Sequence, residues 1–470
     1  MIPLNLKKRK SLSYRKHQSW VLYLSVVSIF FISSCSKVDS FKQINNISAS
    51  DESKLISKKT NVILILGDDV GYEIPTINGG QSYSTPNIDR MAQNGMRFTQ
   101  VRTSPLCSPS RFMLMTGKYN FRNYTNWGIM DTSNRTLGNL FKDAGYKTFI
   151  CGKWQLGGGD TSLRAFGFND YWIWSPYTAE GDEKVDGKGG RYKDPNIYHE
   201  ARFLPDSVTR GKYGDDIYTE KILNFIDSNT TTPFFIYYPI CLVHPEFCPT
   251  PDDPEFPAYQ SKPAKSDTAF YPSMVKYMDK KIGEIITKVN AAGIANNTVI
   301  IFVGDNGTSS QIYSMFNGSL FRGGKASTKE AGLHVPMTIL WPGTIAPGST
   351  NDDIIDLTDF MPTLAGIANT SVPTSYGIMD GVSFYPRLRG LPGTPRTSSY
   401  CYYYPNPVKF PGAYKIWASD KTYKYYSLSN QFYNFVLDPH EDSPIRNKNM
   451  TPEDKQVNSN FQNLINSLHN

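Results

Sequence analysis

The chain has 470 residues, with 49 Lys and Arg against 42 Asp and Glu, a formal net charge of +7 and 39% hydrophobic residues. That length suits one large domain or a large and a small one, and no solenoid-length repeat or low-complexity block interrupts it. Six of the basic residues (Lys7, Lys8, Arg9, Lys10, Arg15 and Lys16) fall in the acid-free first 34 residues, so the remainder carries +1, which excludes the basic footprint of a nucleic-acid partner.

The basic start and the apolar run Val21–Ser33 have the form of an export signal, and the run is too short for an ordinary membrane span. The run ends in "ISSC", which resembles a bacterial lipobox and implies that residues 1–34 are removed and Cys35 is lipidated. A plain secretory signal is the other reading; both predict an exported protein. Residues 35–60 are polar and poor in aromatics, as in a tether. Cys107, Cys151, Cys241, Cys248 and Cys401 are the remaining cysteines. Cys241 and Cys248 are nearest in sequence, but spacing assigns no pairing.

"NVILILGDDVGY" opens the next segment: a continuous apolar run, a glycine, then Asp68 and Asp69. Such runs read as strands buried on both faces of a parallel sheet, whose carboxyl ends gather chemistry. In "SPLCSPSRFMLMTGKY", Pro109 suits a first helical position and Gly117 a stop, which puts Cys107 just ahead of a short helix. A thiol there is an activated nucleophile, half of a disulfide, or a buried residue, depending on its surroundings. "KTFICGKW" and "TPFFIYYPICLVHP" deliver Lys153 and His244 just beyond further apolar runs. Met274, Met278, Ile282, Ile285 and Val289 share one helical face, as in a crossover helix feeding the strand at Val299–Val303. That strand ends in Gly304, Asp305 and Asn306, the form of the first run again. Three carboxylates and an amide at equivalent strand ends make an all-oxygen set suited to Ca²⁺ or Mg²⁺, and without an accompanying imidazole they do not suit zinc. After about Pro373 the texture changes to short aromatic strands ("SYCYYY", "YKIWAS", "TYKYYSL", "YNFVLD"). The expected architecture is a doubly wound, mainly parallel α/β domain over 61–373 with a small antiparallel subdomain over 374–470.

Together these motifs resemble the formylglycine-dependent sulfatases of the alkaline-phosphatase-like superfamily, in family order from about Asn61 to Asp442. "CSPSR" with "MTGKY" resembles the maturation motif, and "GYKTFICGKWQLG" the second signature. "GDDVGY", "GDNG", "FRGGKASTKEAGLHVPMTILWPG" and "VLDPHED" complete the set. The resemblance implies that a formylglycine-generating maturation enzyme oxidises Cys107 to an aldehyde whose hydrate is the nucleophile, with Pro109 and Arg111 read by that enzyme. It implies that Asp68, Asp69, Asp305 and Asn306 bind the metal, usually Ca²⁺. It also implies that Arg111, Lys153 and Lys325 contact sulfate or the nucleophile, and that His244 lies near the leaving-group oxygen. Gln155 departs from the pattern, standing where the second signature usually has histidine; glutamine hydrogen-bonds but takes no proton at neutral pH. His334 replaces a common arginine, and "GYEIP" lacks a frequent acid.

The expected substrate is an O-sulfated carbohydrate attacked at a terminal sugar. The Tyr- and Trp-dense segments "GFNDYWIWSPYTAE" and "YCYYYPNP" suit stacking on sugar faces, and equally suit a core. A phosphomonoester or phosphonate-ester hydrolase of the same superfamily, and a glycan-binding lipoprotein without catalysis, are the competing readings.

Overall fold

The structure, a computed structural model, describes residues 59–124, 128–174, 190–261, 265–405 and 412–469. The expected signal segment, Cys35 and nearly all of the tether lie outside the described residues. Among the described residues no helix is long and apolar enough to cross a membrane.

Among the described residues, thirteen strands precede the C-terminal sheet. They are β1 (Asn61–Gly67), β2 (Met96–Arg102), β3 (Lys147–Lys153), β4 (Asp170–Trp174), β5 (Ile197–His199), β6 (Arg202–Phe203) and β7 (Phe234–Pro239). They continue with β8 (Thr298–Gly304), β9 (Tyr313–Phe316), β10 (Ser319–Arg322), β11 (His334–Leu340), β12 (Ser349–Asn351) and β13 (Ile355–Asp356). Eleven of them form one sheet in the order β12-β2-β11-β8-β1-β7-β3-β4-β5-β6, with β13 on β2, while β9 and β10 make a separate hairpin. The centre, β8-β1-β7-β3-β4, is parallel throughout, and β11 runs antiparallel beside β8. The sheet is therefore mainly parallel, as the apolar runs predict.

The residues of β1 and β8 alternate between two cores. Val62, Leu64, Val299 and Ile301 face one side, where helices α2 (Cys107–Thr116), α3 (Leu137–Asp143) and α6 (Phe360–Ile367) bring Phe112, Leu140 and Leu364. Ile63, Ile65, Ile300 and Phe302 face the other, against Ile88, Ile222 and Met274 from α1 (Pro86–Gln93), α4 (Gly214–Ser228) and α5 (Tyr271–Ala291). A strand covered on both faces has no polar position to spare, which is why these runs are continuous rather than alternating. Each such side chain contributes about 1.5–3 kcal/mol of burial, and cutting one to alanine costs about 2–5 kcal/mol. All five apolar positions predicted along α5 are buried.

The C-terminal sheet, β14 (Ser399–Tyr403), β15 (Lys415–Ser419), β16 (Tyr423–Tyr426) and β17 (Gln431–Asn434), is an antiparallel meander. One face packs Tyr400, Ile416 and Phe432 with Phe461 and Ile465 of α7 (Pro452–His469). The last strand is "QFYN" rather than the expected "YNFVLD": Val436 and Leu437 are exposed, and the Asn434 side chain caps the turn they make by accepting from both their N–H groups. The five described cysteines are all free and buried, Cys241 and Cys248 included.

Candidate active site

β1 and β8 pair in parallel register as far as Gly67 and Gly304, so their next residues emerge side by side. The Asp305 N–H donates to Gly67 O at 3.0 Å, and the Asp69 N–H to Asp305 Oδ1 at 3.1 Å. Glycine at 304 is required by this approach, since a Cβ there would lie 2.3 Å from Val70 O. Asp69 itself takes a left-handed φ of 60°, a conformation Asp tolerates better than most residues.

Cys107 comes from the far side of the sheet. Helix α2 begins at Cys107, two residues earlier than the sequence suggested, with Leu106 as its cap and Pro109 in the third position. Proline is harmless there too, because the first four N–H groups of a helix have no partner within it. Gly117 ends the helix with a φ of 68°. Cys107 thus sits among unpaired N–H donors at the positive end of the helix dipole, where a developing anion is favoured.

The nine residues singled out in the sequence all converge here. Ligating atoms of Asp68, Cys107 and Asp305 lie within 4.8 Å of one another, as do those of Asp68, Asp69 and His244. Lys153, the last residue of β3, places Nζ 2.8 and 2.7 Å from the two oxygens of Asp68. Lys325 lies 2.6 Å from Asp69 Oδ2. Arg111, one turn along α2 from Cys107, donates from Nε and Nη2 to Asp305 Oδ2 at 3.2 and 2.8 Å. His244, on the segment after β7, has Nε2 4.0 Å from Asp69 Oδ2. These cations decide the protonation of the cluster. Burial pushes the Asp68 carboxyl up, but Lys153, with Arg111 and Arg191, outweighs it and holds the group well below the usual carboxylate range. Asp305, buried against Asp68, goes the other way despite Arg111. Burial, with Arg191 and Lys325, keeps His244 well below its usual range.

Whether these residues fit a cation is tested by Asn306. Its Nδ2 donates to Asp69 Oδ1 at 2.8 Å and to Gly307 O, yet its buried Oδ1 has no partner among the described residues. A buried amide oxygen without a donor costs about 1–3 kcal/mol. A hard cation ligated by that oxygen and the neighbouring carboxylates offsets the cost, so the donor set fits Ca²⁺ or Mg²⁺.

Sequence reasoning missed Arg191. It is 9% exposed, lies 3.7 Å from Asp68 Oδ2 and stacks at 4.3 Å on the ring of Trp174, the last residue of β4. Its local sequence, "GGRYKDPN", has no apolar run or strand-end signature to betray a buried cation. Tyr237, with its buried hydroxyl near Arg111, was equally invisible inside an apolar run. Gln155 lines the same cleft as Cys107, His244 and Lys325, at a φ of 57° and with a buried Oε1 lacking a partner among the described residues. His334, by contrast, is structural: it stacks on Tyr72 at 3.9 Å, and its Nε2 is 2.8 Å from Thr99 O.

The cleft has a volume of ≈ 610 Å³ and opens between the Lys325–Lys329 loop and the C-terminal sheet, with Tyr403 in its wall. That sheet buttresses the loop: the fully buried Lys424 donates to Thr328 O at 2.8 Å and to Glu441 Oε1 at 2.7 Å. Tyr426 joins Thr328 to Glu441 in the same way, which gives the late "VLDPHED" motif its physical role. Of the aromatic-rich segments, Tyr171, Tyr400 and Tyr403 are core residues, while Trp172, Trp174, Tyr402 and Tyr404 are half-buried; residues 175–180 and 406–407 lie outside the described residues.

The sulfatase family model matches residues 60–370, and a model described as N-sulphoglucosamine sulphohydrolase, C-terminal, matches residues 324–470. N-acetylgalactosamine-6-sulfatase of Mus musculus is 32% identical over 356 residues, which is 70% of this chain and 66% of the relative, so the chain spans about two thirds of that protein. Arylsulfatase A of Bos taurus is 29% identical over 423 residues, 82% of this chain and 79% of the relative. A structure solved in complex with its substrate D-glucosamine-2-N,6-O-disulfate superposes with a TM-score of 0.66 at 22% identity, covering 87% of this chain and 97% of the other, which shows a shared fold. The chain belongs to the sulfatase family of sulfuric ester hydrolases.

Proposed function

We propose that the protein hydrolyses O-sulfate esters of carbohydrates at a terminal sugar, with Cys107 matured to formylglycine and Ca²⁺, or alternatively Mg²⁺, held by Asp68, Asp69, Asp305 and Asn306. The observation that carries this reading is the convergence of Cys107, the oxygen-bearing side chains of Asp68, Asp69, Asp305 and Asn306, and the cations Arg111, Lys153 and Lys325 beside the cleft that Cys107 and Lys325 line. The hydrated aldehyde formed at Cys107 would supply the nucleophilic oxygen, and Asp68, Asp69, Asp305 and Asn306 would hold a cation that supplies Lewis-acid positive charge to the site.

The chain's own residues do the rest. Lys153 and Lys325 present ammonium groups fixed against Asp68 and Asp69, ready for charge that builds on sulfate oxygens as the ester bond breaks. Arg111 holds Asp305 in place and adds a guanidinium to the wall behind Cys107. The Nδ1 of His244 faces Pro245 O, which only accepts, so Nδ1 carries a proton and Nε2 is the nitrogen that exchanges one with substrate. With the anionic sulfate ester bound beside it, Nε2 takes up a second proton from solvent, and the imidazolium gives that proton to the departing alkoxide, which leaves as an alcohol while His244 returns to the neutral Nδ1–H form. Gln155 orients by hydrogen bonding only, so either another group, such as Asp305 or water, takes the proton that a family histidine there would accept, or turnover is slow.

The test is sulfate release from a panel of regiodefined sulfated mono- and disaccharides, alongside phosphate release from matched phosphate esters. His244→Ala should lower turnover of a sugar sulfate roughly 10²-fold more than turnover of 4-nitrophenyl sulfate, whose leaving group needs no acid. Equal losses on both, or a wild-type preference for the aryl ester in kcat/KM, would remove the carbohydrate assignment; release of phosphate alone would remove the sulfatase reading.

The proposed organisation is a removed signal over 1–34, a lipidated Cys35 anchoring the protein to a membrane outside the cytoplasm, a tether to residue 60, a catalytic domain over 61–373 and a subdomain over 374–470. The sequence pattern "ISSC" after a short apolar run supports the anchor.

A further inference from the structure

The His244 segment belongs to no helix or strand, yet proton transfer needs its ring fixed to a fraction of an ångström. On one side the segment is bolted to the metal loop: the Asp68 N–H donates to Leu242 O at 3.0 Å and the Val243 N–H to Asp68 O at 2.8 Å. These bonds hold the backbone before His244 and leave its own carbonyl and the following residue to be held from elsewhere.

We infer that Arg191 and Tyr192 are positioning residues that set the orientation of the His244 imidazole, an inference that rests on His244 being the acid for the leaving alkoxide. The hydroxyl of Tyr192, fully buried, lies 2.8 Å from Cys241 O and 2.7 Å from His244 O, and its single proton is shared between them. Arg191 donates from Nη1 to Pro245 O at 3.1 Å. That same carbonyl accepts from His244 Nδ1. One backbone oxygen therefore joins the guanidinium to the imidazole, fixing both the ring plane and the tautomer that leaves Nε2 for chemistry.

The strap is itself rigidly held. Arg191 lies on the Trp174 ring at the end of β4, in register with Lys153 of β3. Tyr192 stacks on Tyr213 with ring centroids 5.5 Å apart, and its carbonyl accepts from the Gly214 N–H at 2.7 Å. Neither residue needs to touch substrate to act; each acts through the loop that carries His244.

The test uses the mature, calcium-loaded protein with Tyr192→Phe, which deletes one oxygen and keeps the ring stack. Steady-state kinetics are measured on a sugar sulfate from the panel and on 4-nitrophenyl sulfate. A misplaced acid should cost about 10-fold in kcat/KM on the sugar sulfate and less than about 2-fold on the aryl sulfate. In a His244→Ala background the same change should cost nothing further on the sugar sulfate, because residues acting through one group are non-additive. Arg191→Lys, which keeps the positive charge beside Asp68 but loses the planar donor to Pro245 O, should lower turnover of the sugar sulfate and, like Tyr192→Phe, cost nothing further in the His244→Ala background; it carries the test should Tyr192→Phe not fold. Equal losses on the two substrates, or a full additional loss in the His244→Ala background, would overturn the inference while leaving His244 as the acid. His244→Ala losing both activities equally would overturn the acid reading, and the inference with it.

Discussion

Replacing Lys153 by methionine keeps the bulk of the side chain and deletes one positive charge from a centre of three carboxylates. Its Nζ lies 2.8 and 2.7 Å from the two oxygens of Asp68, and both side chains are 0% exposed. Removing one partner of such a buried pair costs about 3–5 kcal/mol. Arg111 and Arg191 remain at 3.7 Å each, too far to hydrogen-bond Asp68 but close enough to keep the cost near the lower figure, about 3 kcal/mol. At about 2.1 cal/mol/K of unfolding entropy per residue, a domain of this size loses about 1 °C of Tm per kcal/mol, so the expected shift is about 3–4 °C. The assay is a thermal melt in chelator, repeated with calcium, which offsets the lost charge and should shrink the difference. The sign with pH follows from the depressed folded-state pKa of Asp68: its stabilisation is present above the unfolded value of 3.8 and declines as the pH falls below it, so wild type and variant should converge in acid. Turnover should fall about 10²–10³-fold, as for loss of one oxyanion donor. A variant melting within 1 °C of wild type in chelator (against the ~3–4 °C expected) and retaining most of its turnover would refute this reasoning.

Asp215 gives a second pH prediction of opposite sign. Burial pushes it from 3.8 to about 7, against the hydrogen bond from the Cys241 N–H, so wild-type stability should fall as the pH rises from about 4 through 7. Asp215→Asn keeps an acceptor for that N–H and should gain about 2–4 kcal/mol relative to wild type at pH 8 compared with pH 5; a pH-independent difference in urea unfolding would contradict it. Asp305→Ala should abolish both bound calcium, read by elemental analysis, and the rise in Tm on adding calcium; stoichiometric metal in the variant would remove Asp305 from the ligand set. Cys35→Ser should leave an unprocessed precursor lacking an acyl group, checked by intact mass of the membrane fraction, and a wild-type mature N-terminus well away from Cys35 would contradict the anchor.

The centre of the fold was legible because a strand buried on both faces leaves a continuous apolar signature, and because Gly67–Asp68–Asp69 and Gly304–Asp305–Asn306 repeat one strand-end pattern. The face of α5 was legible from its spacing alone. Helix α2 was legible in extent but not in its first residue, since proline fits several positions of a first turn, and only the backbone shows that Cys107 opens the helix. The strand "QFYN" was misplaced toward "YNFVLD" because an apolar pair there turns outward, its N–H groups taken by the Asn434 side chain. The pairing of Lys153 with Asp68 and Lys325 with Asp69 required the sheet order, which periodicity does not encode. Arg191 and Tyr192 were illegible for the same reason: their partners, Pro245, Cys241 and His244, lie some fifty residues away on another strand's end.

The central claim is that Cys107 is the precursor of the nucleophile in a sulfate-ester hydrolase. Peptide mass spectrometry across Ser104–Arg111, run on preparations matured to different extents and paired with ion-chromatographic sulfate release from the best sugar sulfate of the panel, tests it most directly. Specific activity should rise in proportion to the fraction of Cys107 converted to aldehyde and extrapolate to zero at none. Full sulfate release from protein in which Cys107 is demonstrably an unconverted thiol would contradict the account.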